Sequence, residues 1–338
     1  MPDASPERER AISAFLARAG WGEAKPRLLA GDASFRKYYR VERGNERVVL
    51  MDAPPPMENV RPFLTIARHL TRLGLSAPRI LADDVEQGLL LLEDLGDGTY
   101  ARKLADGADE TALYALAVDL LVELHRRFDV SAAADVPRFD MARALREVNL
   151  LLDWYWPAIK GAPAPDDLRK SYEAAWREAL PALWSAPDSI TLFDFHIDNL
   201  MLLDGRQGVA ACGLLDFQDA VIAPIAFDLL SLLEDVRRDV PPKLVATMRE
   251  RYVAAFPKLD RAAFDRSYSA IGAQRNTRIV GVFTRLLVRD GKPRYLQFMP
   301  RVWRLLEGDL EHPAMAPVRE WFDTHLPKGT RATPKAPS

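Results

Sequence analysis

Inside a chain patterned for helix over almost all of its second part, strand signal returns once, in TLFDFHIDNLMLLDGRQGVAACGLLDFQDA, residues 191–220. No other stretch constrains the fold as much. A buried hairpin needs apolar side chains and turn residues, yet each of its apolar pieces delivers an acid, Asp194 and Asp216. His196, Asp198 and Asn199 stand between them. Such spacing fits neither a regular strand nor a helix, and it predicts loops that present oxygen atoms at strand ends.

What precedes this stretch is strand-rich. AISAFLARAGW has helical spacing and stops at Gly20. RLLAGDASFRKYYRVERGNERVVLMDAPPP then reads as strand, Gly-containing turn, strand, hairpin at Gly44-Asn45, strand and a terminating proline run. RPFLTIARHLTRL is a helix with Pro62 in its first turn and Gly74 closing it, and PRILADDVEQGLLLLEDL supplies two more strands. Beyond Gly98 the apolar period becomes helical over 109–128, 139–159 and 166–184, and again from 225 to 325. The predicted class is α+β, with a small antiparallel β lobe over 1–94, a larger helical lobe over 95–327 and a disordered polar tail over 328–338.

Bulk properties narrow the function. With 338 residues the chain exceeds one compact core. A formal charge of -2 gives no electrostatic reason to expect nucleic acid. Cys212 is the only cysteine, which excludes an internal disulfide and fits a reducing cytoplasm. No window is long and apolar enough to span a bilayer, so a cytoplasmic protein without membrane attachment is expected, and no obligate protein partner is inferred. The five histidines, at 69, 125, 196, 312 and 325, form no ligand-spaced pair, which argues against a zinc hydrolase.

The chemistry of the interrupted hairpin follows from its residue types. A carboxylate in a loop accepts a hydroxyl proton, and an amide oxygen with a second carboxylate suits a hard cation. One base and two metal ligands match phosphoryl transfer, where the protein mostly positions the parts and Mg²⁺ neutralises phosphate charge.

DFHIDNLM and GLLDFQDA resemble the catalytic and metal-binding loops of the aminoglycoside phosphotransferase family, small-molecule kinases with a bilobal, protein-kinase-like fold. The resemblance implies that Asp194 is the catalytic base, that Asn199 and Asp216 hold Mg²⁺, that ATP is the phosphoryl donor and that Asp228 in PIAFDLLSLL is a buried structural aspartate. His196 matches a family loop histidine, read as a brace for the loop or, with Asp198, as a residue facing the substrate. GDASFRKYYRV, VVLMDAPPP, GLLLLEDLGDGTY, LLDFQDAVIAPIAFDLLSLL and QRNTRIVGVFTRL are similar, in order, to segments of the kinases of bacterial cell-wall recycling that phosphorylate the anomeric hydroxyl of N-acetylmuramate and N-acetylglucosamine. By that resemblance the acceptor is an amino sugar. Other hydroxyl kinases, acting on choline, homoserine or aminoglycosides, stay open as alternatives, as does an inactive nucleotide-binding protein.

Two departures from the family pattern stand out. The strand position of the phosphate-contacting lysine reads Met51, and the following helix carries no glutamate to pair with it. Charge on the phosphates is then expected from Arg36 or Lys37, next to a turn in which Gly31 and Ser34 offer backbone N–H groups. Adenine is expected against the connector at Glu93 to Leu95, between Val49 and Leu214. The donor-rich run from Gln274 to Arg278 makes Arg275 and Arg278 candidates for the sugar.

Overall fold

The structure is a computed structural model and describes residues 5–30 and 35–335. By internal contacts the chain divides into two compact units. One comprises residues 1–128, 133–136 and 192–220; the other comprises 129–132, 137–191 and 221–338. The loops that carry Asp194 and Asp216 therefore group with the sheet.

The first unit opens with α1 (Pro6–Arg18), five residues earlier than the apolar period predicts. The earlier start has a local cause: the Ser5 side chain accepts the Arg8 N–H at 3.2 Å, and Pro6 occupies the first turn. Strands β1 (Arg27–Ala30), β2 (Lys37–Arg43) and β3 (Glu46–Asp52) follow, then α2 (Arg61–Arg72), β4 (Ile80–Asp84) and β5 (Leu89–Glu93). They form an antiparallel sheet in the order β1-β2-β3-β5-β4. The β2–β3 turn has two residues, with Arg43 opposite Glu46, and Gly44 supplies the positive φ of 56° that such a turn needs.

Alternation along the strands gives the sheet two distinct faces. Tyr39, Val41, Val48, Leu50, Leu89 and Leu91 form one core with Ile12, Phe15 and Leu16 of α1. The opposite face carries Tyr38, Arg40, Val49, Met51, Leu90 and Leu92, because Tyr38 pairs with Met51, Arg40 with Val49, Met51 with Leu90 and Val49 with Leu92. On that face Arg40 is 4% exposed and its guanidinium binds Asp94 at 2.7 Å and Asp97 at 2.9 Å. This pair ties β2 to the connector that follows β5. Removing one partner of so buried a pair leaves an uncompensated charge, so the connector's path is strongly specified.

The second unit is built around one helix of 28 residues, Arg261–Val288, capped by Asp260, whose side chain accepts the Ala263 N–H at 3.1 Å. Its interior glycines are there for close approach. A Cβ on Gly281 would lie 2.4 Å from the carbonyl carbon of Leu150, and one on Gly272 would lie 2.2 Å from Oδ1 of Asp309. Directly after Leu150, the helix predicted as continuous over 139–159 widens into a π-helical turn, Leu151–Tyr155, before Trp156–Lys160 completes it. The 166–184 helix likewise ends at Ala179 and continues as a tighter turn. The tail predicted as disordered is packed at its start, since Arg331 is nearly buried and bonds Glu307 at 2.6 Å, and Tyr155 donates to the Ala332 carbonyl at 2.8 Å.

Gly281→Ala is expected to lower the melting temperature. A helix-interior Gly→Ala change ordinarily gains about 1 kcal/mol, but here the added methyl meets backbone, which cannot rotate aside, and overpacking costs about 1–3 kcal/mol or more. Gly308→Ala is the control, because nothing lies within 4 Å of its Cβ. Calorimetric melting of both variants checks this; equal shifts would remove the packing argument.

Candidate active site

The interrupted hairpin resolves into two short ladders. Asp188–Thr191 pairs with Val221–Pro224 in the second unit, and Leu200–Leu202 pairs with Cys212–Leu214 in the first. Between them the chain forms two loops, 192–199 and 215–220, both in the first unit. Phe193, Phe195 and Phe217 are buried, and Phe217 stacks on Phe63 of α2 with ring centroids 4.8 Å apart. These rings anchor the loops, so the intervening polar residues are held rather than solvated at random.

Backbone conformation aims the acids. Asp194 N–H donates to Leu192 O at 3.0 Å across Phe193, whose φ is 75°. This three-residue turn is of the strained kind that persists only where its surroundings enforce it. Asp216 also has a positive φ, 56°. Among the described residues, Phe193 and Asp216 are the non-glycine positions with positive φ, and both belong to these loops.

Asn199 joins the two loops. Its Nδ2 donates to the main-chain O of Asp194 at 3.0 Å and reaches Oδ2 of Asp216 at 3.5 Å, and its own carbonyl accepts Leu215 N–H at 2.9 Å. With Nδ2 donating to Asp194, the amide oxygen keeps its lone pairs for a ligand. Gln218, 8% exposed, donates to Oδ1 of Asp216 at 2.8 Å and so orients the carboxylate from behind. An amide oxygen and one carboxylate, half-buried and adjacent, are the donor set that suits Mg²⁺, which fills its remaining positions with water and phosphate. Among the described residues no cluster of three or more His, Cys, Asp or Glu could hold a metal by itself.

The remaining predicted residues fall as follows. His196 is 5% exposed, with Nε2 3.3 Å from Asn199 Nδ2 and Nδ1 4.0 Å from an Asp198 carboxylate oxygen. It is buried within the loop, while Asp198 is exposed. Val49 and Leu214 are buried, Leu214 N–H donating to Ser76 O at 2.9 Å. The Glu93 carboxylate accepts Arg206 at 2.6 Å and Arg79 at 3.2 Å, so its side chain is engaged, and its N–H goes to Arg79 O. Leu95 is half-buried in the connector, and Gly31 and Ser34 lie outside the described residues. Cys212 is buried, and burial pushes its thiol up to about 12, which leaves it a neutral packing group.

In the second unit Asp228 is 1% exposed. Arg275 is 5% exposed and lies close enough to Glu234 and Asp309 to lower the pKa of each, against the burial that raises both. Its charge serves that interior cluster, in which Asn276 donates to Asp309 at 2.9 Å and to Glu234 at 3.3 Å. Arg275, expected as a donor toward a ligand, is thus a buried side chain close to two interior acids. Arg278 is partly exposed, 3.6 Å from Glu147.

Residues that sequence reasoning missed are Gln218, Arg40 with Asp94, Tyr38 and Glu58. Tyr38 lies on the Met51 face of the sheet, and burial, with smaller contributions from the Asp216 and Glu58 carboxylates, pushes its phenol up to about 12 despite the nearby Arg36.

A family model described as "Phosphotransferase enzyme family" matches residues 25–264. An N-acetylmuramate/N-acetylglucosamine kinase of Caulobacter vibrioides is 38% identical, the match covering 97% of this chain and 99% of that protein. A kinase with the same name from Pseudomonas aeruginosa is 37% identical over 93% of each chain. Among solved structures, an aminoglycoside phosphotransferase in complex with streptomycin and ATP matches with a TM-score of 0.59 at 15% identity, covering 93% of this chain and 98% of that one. A choline kinase from Streptococcus pneumoniae matches with a TM-score of 0.62 at 13% identity, covering 90% and 100%. The small antiparallel sheet and helical remainder are thus the fold of these small-molecule kinases, as the loop motifs implied.

Proposed function

This chain belongs to the phosphotransferase enzyme family, and from that premise we propose that it is an ATP- and Mg²⁺-dependent kinase of N-acetylmuramate and N-acetylglucosamine, acting on the anomeric hydroxyl. The observation that carries the chemistry is the Asn199 side chain, hydrogen-bonded to the Asp194 carbonyl at 3.0 Å and 3.5 Å from the Asp216 carboxylate. One small polar group thereby registers the proton acceptor against the metal ligands. The amino-sugar acceptor is supported by the names of relatives that match over nearly their whole length.

In the reaction the acceptor oxygen forms a bond to the γ-phosphorus as the bond to the β,γ-bridging oxygen breaks, and ADP departs. Asp194 accepts the hydroxyl proton; an anomeric hydroxyl is more acidic than an ordinary alcohol, which eases this step. Asn199 and Asp216 would hold Mg²⁺, which neutralises charge on the phosphates when bound. Gln218 keeps the Asp216 carboxylate in its orientation. The connector from Glu93 to Leu95 offers main-chain groups to adenine, with Val49 and Leu214 as apolar neighbours, and Arg36 supplies cationic charge to the phosphates. Asp198 is a candidate contact to the sugar.

The test is phosphorus NMR of a reaction with ATP, Mg²⁺ and each amino sugar. The expected product signal is a phosphate monoester coupled to the C1 proton, appearing with either sugar and absent without Mg²⁺. A monoester coupled to any other sugar proton, or no product with either sugar while choline or an aminoglycoside is phosphorylated, would reject the acceptor assignment.

A further inference from the structure

Met51 leaves the nucleotide phosphates without the strand lysine that kinases of this fold type use. It is fully buried and sits directly opposite Tyr38 on β2, so no cation is available from β3 at that level. Two residues before Tyr38, just ahead of β2, stands Arg36. Its Nε lies 3.3 Å from Oε2 of Glu58, and both side chains are only 15% exposed. The other carboxylate oxygen of Glu58, Oε1, accepts the Phe35 N–H at 3.1 Å. Glu58 therefore grips both the backbone at the entry to β2 and the guanidinium one residue further on. The Tyr38 phenol, two residues on, feels the charge of Arg36 and, to a smaller degree, those of Asp216 and Glu58, so the four groups share one neighbourhood.

We propose that Glu58 is a positioning residue that holds the Arg36 guanidinium at the entry to β2 to bind the polyphosphate of the nucleoside triphosphate, so that an Arg36–Glu58 pair does the work of the absent lysine and glutamate. The swap is chemically coherent. A guanidinium presents several fixed donors and can bond a carboxylate with one edge while offering others to phosphate oxygens. The carboxylate comes from the segment just before α2 instead of from within it, which is why a search of the helix for a glutamate finds none. Placing the cation on β2 also explains how Met51 is tolerated, since the buried face there has no unpaired charge to satisfy.

This inference rests on the kinase reading above, and the experiment separates the two. Affinity for Mg²⁺·ATP is measured calorimetrically without acceptor, followed by KM for ATP and for the amino sugar, in wild type, Arg36→Ala, Glu58→Gln and the double variant. Arg36→Ala is expected to weaken ATP about 10- to 100-fold, the worth of a hydrogen bond to a charged group. KM for the sugar should not change. Glu58→Gln should weaken ATP in the same direction by less, and the double variant should be no worse than Arg36→Ala, because Glu58 acts through Arg36. Thermal melting identifies any variant that fails to fold, and Arg36→Lys, which keeps charge but not the fork, then provides the same ATP readout. Additive effects of the two substitutions, or unchanged ATP affinity in Arg36→Ala, would overturn the proposal while leaving the kinase reading intact. A wild-type protein that bound no Mg²⁺·ATP would overturn both.

Discussion

Asp194→Asn is expected to lower turnover about 10²- to 10⁴-fold, the usual worth of a positioned general base, while Mg²⁺·ATP still binds. The structure explains why the two effects separate. Asn199 is anchored on the main-chain carbonyl of Asp194, not on its carboxylate. An isosteric amide therefore leaves that hydrogen bond, the γ-turn at Phe193 and the metal ligands in place, and removes only the proton acceptor. Steady-state kinetics with an ADP-coupled assay, beside calorimetric ATP binding, read both quantities. Turnover within a few-fold of wild type would show that another group takes the proton.

Asp216→Ala is expected to act at the opposite point. It deletes the one carboxylate of the metal pair together with the partner of Gln218 at 2.8 Å and of Asn199 at 3.5 Å. Losing a metal-mediated clamp worth several kcal/mol corresponds to an ATP affinity lowered by about 10²-fold or more, and to loss of the difference between titrations with and without Mg²⁺. The fold should survive, because the carboxylate is half-buried and the loop's rigidity comes from Phe217 on Phe63 and from Leu215 bonded to Asn199. Full Mg²⁺ dependence of ATP binding in this variant would mean that the ion is held elsewhere.

Much of this was legible in the sequence where local rules decide. The Gly44-Asn45 turn, the helix opened by Pro62 and closed by Gly74, and the strand-to-loop transitions at Asp194 and Asp216 all follow from residues close together in the chain. Long-range placement was not legible. Glu58 follows a proline run and reads as a solvated loop acid; only the folded chain brings Arg36, 22 residues earlier, to it. Gln218 looks like one more polar turn residue, and its role depends on the positive φ at Asp216 that turns the two side chains toward each other. Arg40 and Asp94 are 54 residues apart and pair because Val49 of β3 lies between Arg40 on β2 and Leu92 near the end of β5, which puts the connector after β5 within reach. Arg275 is a related case. A run of donors on a helix resembles an exposed ligand face, but the helix Arg261–Val288 is buried on most of its circumference, and Gln274 and Asn276 turn their amides to acids packed against it, Glu147 and Asp309.

The same division bears on the tail and the π-helical turn. Arg331 carries no local signal for its conformation, which depends on a partner 24 residues away, Glu307. The turn Leu151–Tyr155 does carry one, because Pro157 has no N–H for the Asp153 carbonyl and interrupts the regular helical ladder there.

That Asn199 and Asp216 share one magnesium–nucleotide complex with Asp194 close by but not coordinating is tested most directly by electron–nuclear double resonance. The protein is made with ¹³C-carboxylate aspartate, and Mn²⁺ replaces Mg²⁺ on ATP. A ¹³C coupling from a metal-bound carboxylate is predicted in the wild type and in Asp194→Asn, and its loss in Asp216→Ala. Retention of that coupling without Asp216, or its disappearance without the Asp194 carboxylate, would contradict the assignment.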